Sequence, residues 1–330
     1  FSRPREDQSP ILRSKGVSSK VLISEVGPRD GLQNCKAIMP TAEKERWIRA
    51  LYDAGIEEIE VGSFVSPKLL PQMADTGEIV RFAKTLPGLT VAVLVPNMKG
   101  AQLAIEAGAD KLTIPLSVSE THSIKNIRRT HDQVIDEAQN IAALVAEQPE
   151  GARPHLEGSL STAFGCTIEG AIPEAVILKL ATRLMGAGCD EVGLSDTTGY
   201  ADPASIRQLI RSVRAEVGAE NLTGVHLHNT RGLGLANALA AYEEGITTFD
   251  ASQAGLGGCP TSPGASGNIV TEDIVFMFES MGISTGVDLE ALMACRDILA
   301  ASLPDEELYG FTPRAGLPLG FKQEAVAAIS

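Results

Sequence analysis

KVLISEVGPRDGLQN, residues 20–34, is the stretch on which the fold turns. Its first half is a short β-branched run, a strand signal over 20–26. The strand runs into GPRDGLQN (27–34), not into the G-x-G-x-x-G turn that a doubly wound dinucleotide-binding sheet places after its first strand. Outward from there, seven further runs of the same kind recur at 56–62, 90–95, 111–115, 154–160, 190–194, 223–228 and 247–252. Between them lie Ala/Leu/Glu-rich stretches that predict helices at 41–54, 74–85, 98–108, 131–148, 170–187, 203–217 and 232–244, with 271–281 after the last strand. Glycines stand where several of these should stop (Gly55, Gly108, Gly188, Gly245, Gly282), and Asp202-Pro203 opens one with a capping residue followed by proline. Regular alternation implies parallel strands joined by right-handed crossovers, and eight such units close a barrel. The expected fold class is α/β, a (β/α)8 TIM barrel with an extra C-terminal helical segment at 288–302. Residues 1–19 read as a flexible arm, 20–303 as the barrel, and 304–330 as a Pro/Gly-containing tail that could cover one end or reach a partner subunit.

Charge narrows the function classes. The 330 residues carry 28 Lys+Arg against 42 Asp+Glu, a net of −14, which argues against nucleic-acid binding because that needs a basic footprint. An anionic substrate stays open, since a local cluster of cations reverses the field. No run of roughly 18 apolar residues predicts a membrane span. Five scattered cysteines (Cys35, Cys166, Cys189, Cys259, Cys295) with no C-x-x-C pair read as reduced thiols, favouring the cytoplasm. Residues 1–20 hold five Lys/Arg and no apolar signal core; a transit-peptide remnant, and hence the mitochondrial matrix, is the alternative.

Barrel enzymes carry their chemistry at the C-terminal ends of the strands. The first strand delivers Arg29, Asp30 and Gln33 there, the second Glu60 and Ser63, the sixth Asp196, the seventh His226 and His228. The eighth leads into GLGGCP (255–260), with Cys259, and on to Asn268. Alternate strand residues share a face, so His226 and His228 point the same way. With Asp30 they make a mixed N/O donor set without thiolate, unlike structural zinc and suited to Mg2+ or Mn2+, with positions left for water and substrate; Asn268 could add an oxygen. Arg29 can stabilise a developing oxyanion, Asp30 can bind metal or take a proton, and Glu60 can orient Arg29 or a ligand. A Gly-rich turn can bring the Cys259 thiol over the mouth for nucleophilic or acid/base work. Each has a plainer reading: a packed histidine beside a solvated one, a surface Arg-Asp pair, a small buried cysteine. Cys166 could line the pocket; the remaining cysteines pack.

Five segments taken together, EVGPRDGLQN (25–34), EVGSFVSPKLLPQM (60–73), VPNMKG (95–100), HLHNTRGLGLAN (226–237) and FDASQAGLGGCPTSPGASGNIVTEDIVFM (249–277), resemble the 3-hydroxy-3-methylglutaryl-CoA (HMG-CoA) lyases in order along about residues 20 to 300. The resemblance implies a divalent cation, Mg2+ or Mn2+, and cleavage of a 3-hydroxyacyl-CoA to acetyl-CoA and a keto acid, acetoacetate for HMG-CoA, as in leucine degradation. It implies an acyl-CoA partner and a homodimer. Asp30, His226, His228 and Asn268 match the family's metal ligands, Arg29 its catalytic arginine and Cys259 its loop thiol. Glu60, Ser63 and Asp196 match pocket residues; Gln33, Ser63 and Asp196 are expected to touch substrate, and Lys36 to hold the cofactor, with Glu272 in support. The sequence departs from the pattern at SLSTAFGCTIEG (159–170), LSDTTGY (194–200) and HNTRG (228–232), and Cys35 stands where a Glu is usual. These changes leave citramalyl-CoA as an alternative substrate and Arg231 as an extra cation for a different carboxylate. A Claisen-type synthase, which usually lacks the cysteine loop, and a catalytically silent barrel are the remaining rivals. No phosphate-cradling motif identifies the CoA contacts.

Overall fold

All eight runs form strands: β1 (Leu22–Glu25), β2 (Glu58–Ser63), β3 (Thr90–Leu94), β4 (Lys111–Ser117), β5 (His155–Ser161), β6 (Glu191–Asp196), β7 (Gly224–Leu227) and β8 (Thr248–Ala251). Each pairs in parallel with its neighbour in sequence, and β8 pairs with β1 from Leu22–Thr248 to Glu25–Ala251, so the sheet closes into a barrel. The computed structural model describes residues 20–257 and 267–323; the arm expected at 1–19 and the end of the tail lie outside these.

The crossovers are helical. They are α1 (Thr41–Asp53), α2 (Thr76–Ala83), α3 (Met98–Ala107), α4 (Glu120–Ile127), α5 (His131–Ala146), α6 (Glu174–Gly186), α7 (Pro203–Val217) and α8 (Gly234–Glu243), with α9 (Thr271–Ser280) after β8. At the predicted Asp202-Pro203 start, the Asp202 carboxylate accepts the Ala204 and Ser205 N–H groups. At the predicted stop after α3, Gly108 takes φ +91, a left-handed turn that a side chain would strain. Two expectations need correction. The single helix at 288–302 is two, α10 (Leu289–Ala294) and α11 (Arg296–Ser302), parted at Cys295. α4 was not foreseen: its sequence, ETHSIKNI, has little apolar period, and Ser119 starts it by capping the His122 N–H. A short α12 (Phe311–Ala315) lies in the tail. Among the described residues no helix is long and apolar enough to cross a membrane.

Strand alternation sorts the side chains into two environments. Ile23, Ile59, Val91, Val93, Leu112, Ile114, Leu156, Val192, Val225 and Phe249 are buried toward the helices and form the apolar core. Phe249 meets Phe278 of α9 at 5.0 Å between ring centroids, and truncating either ring costs about 3–5 kcal/mol. The intervening positions face inward and are polar: Ser24, Glu58, Glu60, Lys111, Thr113, Glu157, Ser159, His226 and Asp250 line one cavity of about 840 Å³. Most barrels of this kind fill their interior with branched apolar side chains. Here the core lies in the ring between strands and helices, and the interior is left to charge.

Candidate active site

The first strand ends in a tight π-helical turn, Gly27–Gly31, in which the Val26 carbonyl accepts the N–H groups of Arg29, Asp30 and Gly31. Gly27 has no room for a side chain: a Cβ would come within 2.6 Å of Glu25 Oε1 and 2.9 Å of Trp47. Glu25, buried on the outer face of β1, accepts from the N–H groups of Gly27 and Gln253 and from the Thr271 hydroxyl. It therefore ties the turn after β1 to the segments leaving β8.

That turn delivers Asp30 to the two histidines. Asp30, His226 and His228 each offer a ligand atom, all within 4.8 Å of one another. The imidazoles face each other, with Nε2 atoms 3.1 Å apart, and Asp30 Oδ2 lies 3.9 Å from His226 Nε2. The Asn268 amide donates to Asp30 Oδ2 at 2.7 Å. Three observations fit a cation here. His228 Nδ1 and Asn268 Oδ1 are buried without a partner. At Gly257, φ +106, a Cβ would sit 2.5 Å from the Asn268 amide nitrogen and 3.1 Å from Asp30 Oδ2, intruding on the cluster. The donors are hard oxygens and imidazole nitrogens, a set that suits Mg2+ or Mn2+.

Electrostatics divides the two histidines. His226 Nδ1 is 3.0 Å from Asp250 Oδ2, a neighbour across the β7–β8 register, so the ring presents Nε2 inward. Burial disfavours the charged ring, but Asp250 outweighs it and raises the proton affinity of His226. Among the described residues no carboxylate bonds to the His228 ring; burial and the neighbouring His226 push it down to about 4 against the pull of Asp30. Burial would raise Asp30, yet Arg29, the two imidazoles and the Asn268 amide hold its carboxyl below the ordinary range. Arg29, buried, spans Asp30 Oδ1 (2.6 Å) and Glu60 Oε2 (2.5 Å). Burial pushes Glu60 up to about 7 against the pull of Arg29, and its Oε1 is buried without a partner.

The other candidates divide. Gln33 joins the cluster, donating to Asp30 Oδ1 at 2.7 Å. Ser63 and Asp196 lie off the cavity wall. Ser63 is held by Thr76 through its backbone, and Asp196 accepts the Tyr200 and Ala201 N–H groups, with burial raising its carboxyl to about 7. Lys36 is exposed and away from the cavity, its N–H donating to Glu306. Glu272 is fully buried, paired with Arg296 at 2.6 Å, and accepts the Ala254 N–H at the base of the loop after β8. Arg231 is engaged in closing loops: it donates to the carbonyls of Thr198 and Gly199 and stacks on Tyr200. Cys166 is buried and off the cavity wall. Cys259 lies outside the described residues.

Sequence reasoning missed Asp250, although β7–β8 pairing puts it opposite His226. It also missed the basic stretch Lys125, Arg128 and Arg129, which lines the same cavity from α4 and the turn beyond. The signal was present as KNIRR (125–129), but no phosphate-loop pattern surrounds it.

The HMGL-like family matches residues 20–299. The chain belongs to that family, the hydroxymethylglutaryl-CoA lyase family. It is 42% identical over 298 residues to the mitochondrial hydroxymethylglutaryl-CoA lyase of Mus musculus, covering 88% of this chain and 90% of that protein. A cytoplasmic relative from the same mouse is 40% identical over 288 residues, covering 87% of this chain and 82% of that protein. The mitochondrial lyase of Arabidopsis thaliana is 41% identical over 290 residues, 88% of this chain but only 61% of that protein. Among solved structures, an HMG-CoA lyase from Acinetobacter baumannii in complex with coenzyme A and 3-methylmalate is similar at a TM-score of 0.85 and 39% identity, covering 93% of this chain and 98% of that one. As a family member the chain is a carbon–carbon lyase on a TIM barrel.

Proposed function

We infer that the protein cleaves HMG-CoA to acetyl-CoA and acetoacetate, the retro-Claisen reaction, with a divalent cation at Asp30, His226, His228 and Asn268. The observation that carries this reading is the meeting of Asp30, His226 and His228 beside the buried Arg29 at one mouth of the barrel. The cation, Mg2+ or Mn2+, would lower the pKa of the substrate's tertiary hydroxyl. Asp30 would take that proton; His226, with Nδ1 held by Asp250 and Nε2 on the cation, has no free lone pair while it is a ligand and is the alternative base only when released from the cation. Arg29, fixed by Glu60 and Asp30, stabilises the enolate oxygen of the departing acetyl-CoA. Gln33 fixes Asp30, and the thiol of Cys259 returns a proton to the enolate carbon. The cations of Lys125, Arg128 and Arg129 supply at the cavity rim what the acidic chain as a whole lacks, a positive surface for the phosphates of CoA. Ser63, Asp196 and Lys36 then act from behind the cavity wall or beyond it.

The relatives compared above carry the HMG-CoA lyase name, which favours that substrate over citramalyl-CoA. The test is to incubate the protein with Mg2+ and either thioester. Acetyl-CoA with acetoacetate supports the reading; acetyl-CoA with pyruvate from citramalyl-CoA alone moves the activity to the other substrate. No product from either, with or without metal, rejects a lyase. Cys259→Ala with unchanged turnover removes the thiol. A role in leucine degradation, a homodimer and a cytoplasmic site, with the matrix as alternative, complete the reading. Light scattering and cell fractionation test the last two; relatives of both compartments exist.

A further inference from the structure

A second polar constellation lies behind the cavity wall and reaches the cavity through His122. It joins Ser117 at the end of β4, Thr162 just past β5, and His122 in the first turn of α4. Its protons can be counted. The Thr162 hydroxyl donates to the Ser161 carbonyl at 2.7 Å and accepts the Ser119 N–H at 3.3 Å. A hydroxyl has one proton to give, so in the 2.9 Å contact between Thr162 and Ser117 the Ser117 hydroxyl is the donor. Its proton is then spent as well. With all of these bonds made at once, the 3.0 Å contact of Ser117 Oγ with His122 Nδ1 is assigned as an Nδ1–H donating to the serine. Neutral His122 thus keeps its proton on Nδ1 and a lone pair on Nε2. Burial lowers the ring's proton affinity, against the pull of Glu169, and favours this neutral form.

The arrangement is held from several sides. Thr162 adopts φ +57, a left-handed backbone that a β-branched residue occupies only when its surroundings fix it there. Its N–H donates to the Thr197 hydroxyl at 2.9 Å, and His131 Nε2 lies 2.9 Å from the Ser117 carbonyl. His122 lines the cavity, and with Nδ1 engaged, Nε2 is the ring nitrogen left to it.

We propose that His122 is a recognition residue for the pantetheine arm of the acyl-CoA, its unprotonated Nε2 accepting an amide N–H of the arm. This rests on the acyl-CoA reading above. A lone pair selects against the substrate's carboxylate, thioester and phosphates, which offer acceptors; the arm's amides offer donors. The substrate's tertiary hydroxyl is a donor too, but the reading above gives it to the cation; the donors of the adenosine lie beyond the phosphates, and the pantoyl hydroxyl belongs to the arm itself. Helical spacing places the contact. Lys125 and Asn126 line the cavity three and four residues after His122, on the same face of α4, so His122 reads a group about one helical turn from the phosphate-binding cation.

The experiment measures binding of pantetheine, CoA and ADP to the Mg2+-loaded full chain, as wild type, His122→Phe and His122→Gln. His122→Phe is expected to weaken pantetheine and CoA about tenfold and to leave ADP, which lacks the arm, unchanged. His122→Gln keeps an acceptor and recovers most of the loss. In the wild type, nitrogen NMR of the histidines should find His122 with its proton on Nδ1 and an Nε2 signal that shifts when pantetheine binds. That measurement does not depend on how the variants fold. Undiminished pantetheine binding by His122→Phe, or a proton found on Nε2 in the free protein, overturns the proposal. A wild type that binds pantetheine through His122 but leaves HMG-CoA intact breaks the activity reading while supporting this one. Normal turnover with an indifferent His122 does the reverse.

Discussion

The barrel interior holds two charged clusters that are completed in different ways. Toward the N-terminal ends of the strands, Lys111 Nζ lies 2.8 Å from Glu157, 3.1 Å from Glu191 and 3.8 Å from Glu58. Glu191 also accepts the Thr223 hydroxyl and meets His155 at 3.0 Å. Among the described residues this floor leaves no buried polar side-chain atom of Lys111, Glu58, Glu157 or Glu191 unpartnered. At the mouth, Glu60 Oε1, His228 Nδ1 and Asn268 Oδ1 are all buried and unpartnered. Both clusters bear the cost of desolvation, but native chains rarely leave buried polar atoms unpaired without a reason. The floor is satisfied by the chain itself. The mouth leaves polar atoms open, as the cation and substrate of the proposed function would require.

Breaking the mouth should show the largest effect. His228→Ala or Asp30→Ala should lower turnover of HMG-CoA by about 10³-fold or more, because several kcal/mol of charge stabilisation depend on the cation and each 1.36 kcal/mol is tenfold. Folding should survive in His228→Ala, since His228 Nδ1 is buried without a partner; Asp30→Ala also takes a partner from Arg29, Gln33 and Asn268 and should lose stability as well. Calorimetric titration with Mn2+ should show binding lost in both, while the thermal transition of His228→Ala stays in place. A variant that still binds Mn2+ with wild-type affinity would take that residue out of the site.

Breaking the floor should do the opposite. Lys111→Met strands carboxylates that have only one lysine between them, and removing one member of a buried charge group typically costs about 3–5 kcal/mol. Urea unfolding should register that loss, while Mn2+ affinity stays where it was. A floor variant of normal stability that fails to bind metal would mean the two clusters are one.

The contrast also explains what the sequence disclosed. Barrel closure was legible because the outward strand positions are apolar and the helices between them carry glycine stops; Gly108 is a stop that needs only its own φ. The meeting of Asp30, His226 and His228 was legible because period two places the two histidines on one face, and the barrel rule brings Asp30 to the same end. α4 was not, because its cap works through Ser119 and its polar sequence lacks an apolar stripe. The floor was not, because Lys111 and Glu191 look like ordinary strand-edge charges until closure turns them inward. Ser63 and Asp196 are expected to touch substrate from the family resemblance; neither lines the cavity here, because a place near a strand end does not say which side of the wall a side chain occupies.

Between the two clusters in expected size stands Asp250, which serves His226 and has no counterpart at His228. Asp250→Asn keeps an acceptor but removes the charge that fixes the ring, and losing such a support typically costs 10–100-fold in metal affinity. Mn2+ titration of the variant checks this. If affinity is unchanged, the asymmetry between the two histidines has no bearing on the cation.

Protons give the smallest and sharpest contrast, because the two clusters should respond to pH with opposite sign. Glu60 at the mouth is raised from 4.5 to about 7, chiefly by burial. Its contribution to stability is full below 4.5 and is lost as pH rises through about 7. Glu191 on the floor is lowered to about 2: burial works against this, but His155, Lys111 and Thr223 together outweigh it. Its contribution is full above 4.5 and is lost as pH falls through about 2. Measured by urea unfolding without metal, Glu60→Gln should therefore gain on the wild type between about pH 5 and about pH 8. Glu191→Gln should fall behind the wild type as pH rises from about 2 to about 5 and hold a constant deficit above that. Each change should amount to about 1–3 kcal/mol, at 1.36 kcal/mol per pKa unit. Slopes of the same sign in both variants would show that mouth and floor share one electrostatic environment, and the distinction drawn from their unpartnered atoms would fall with it.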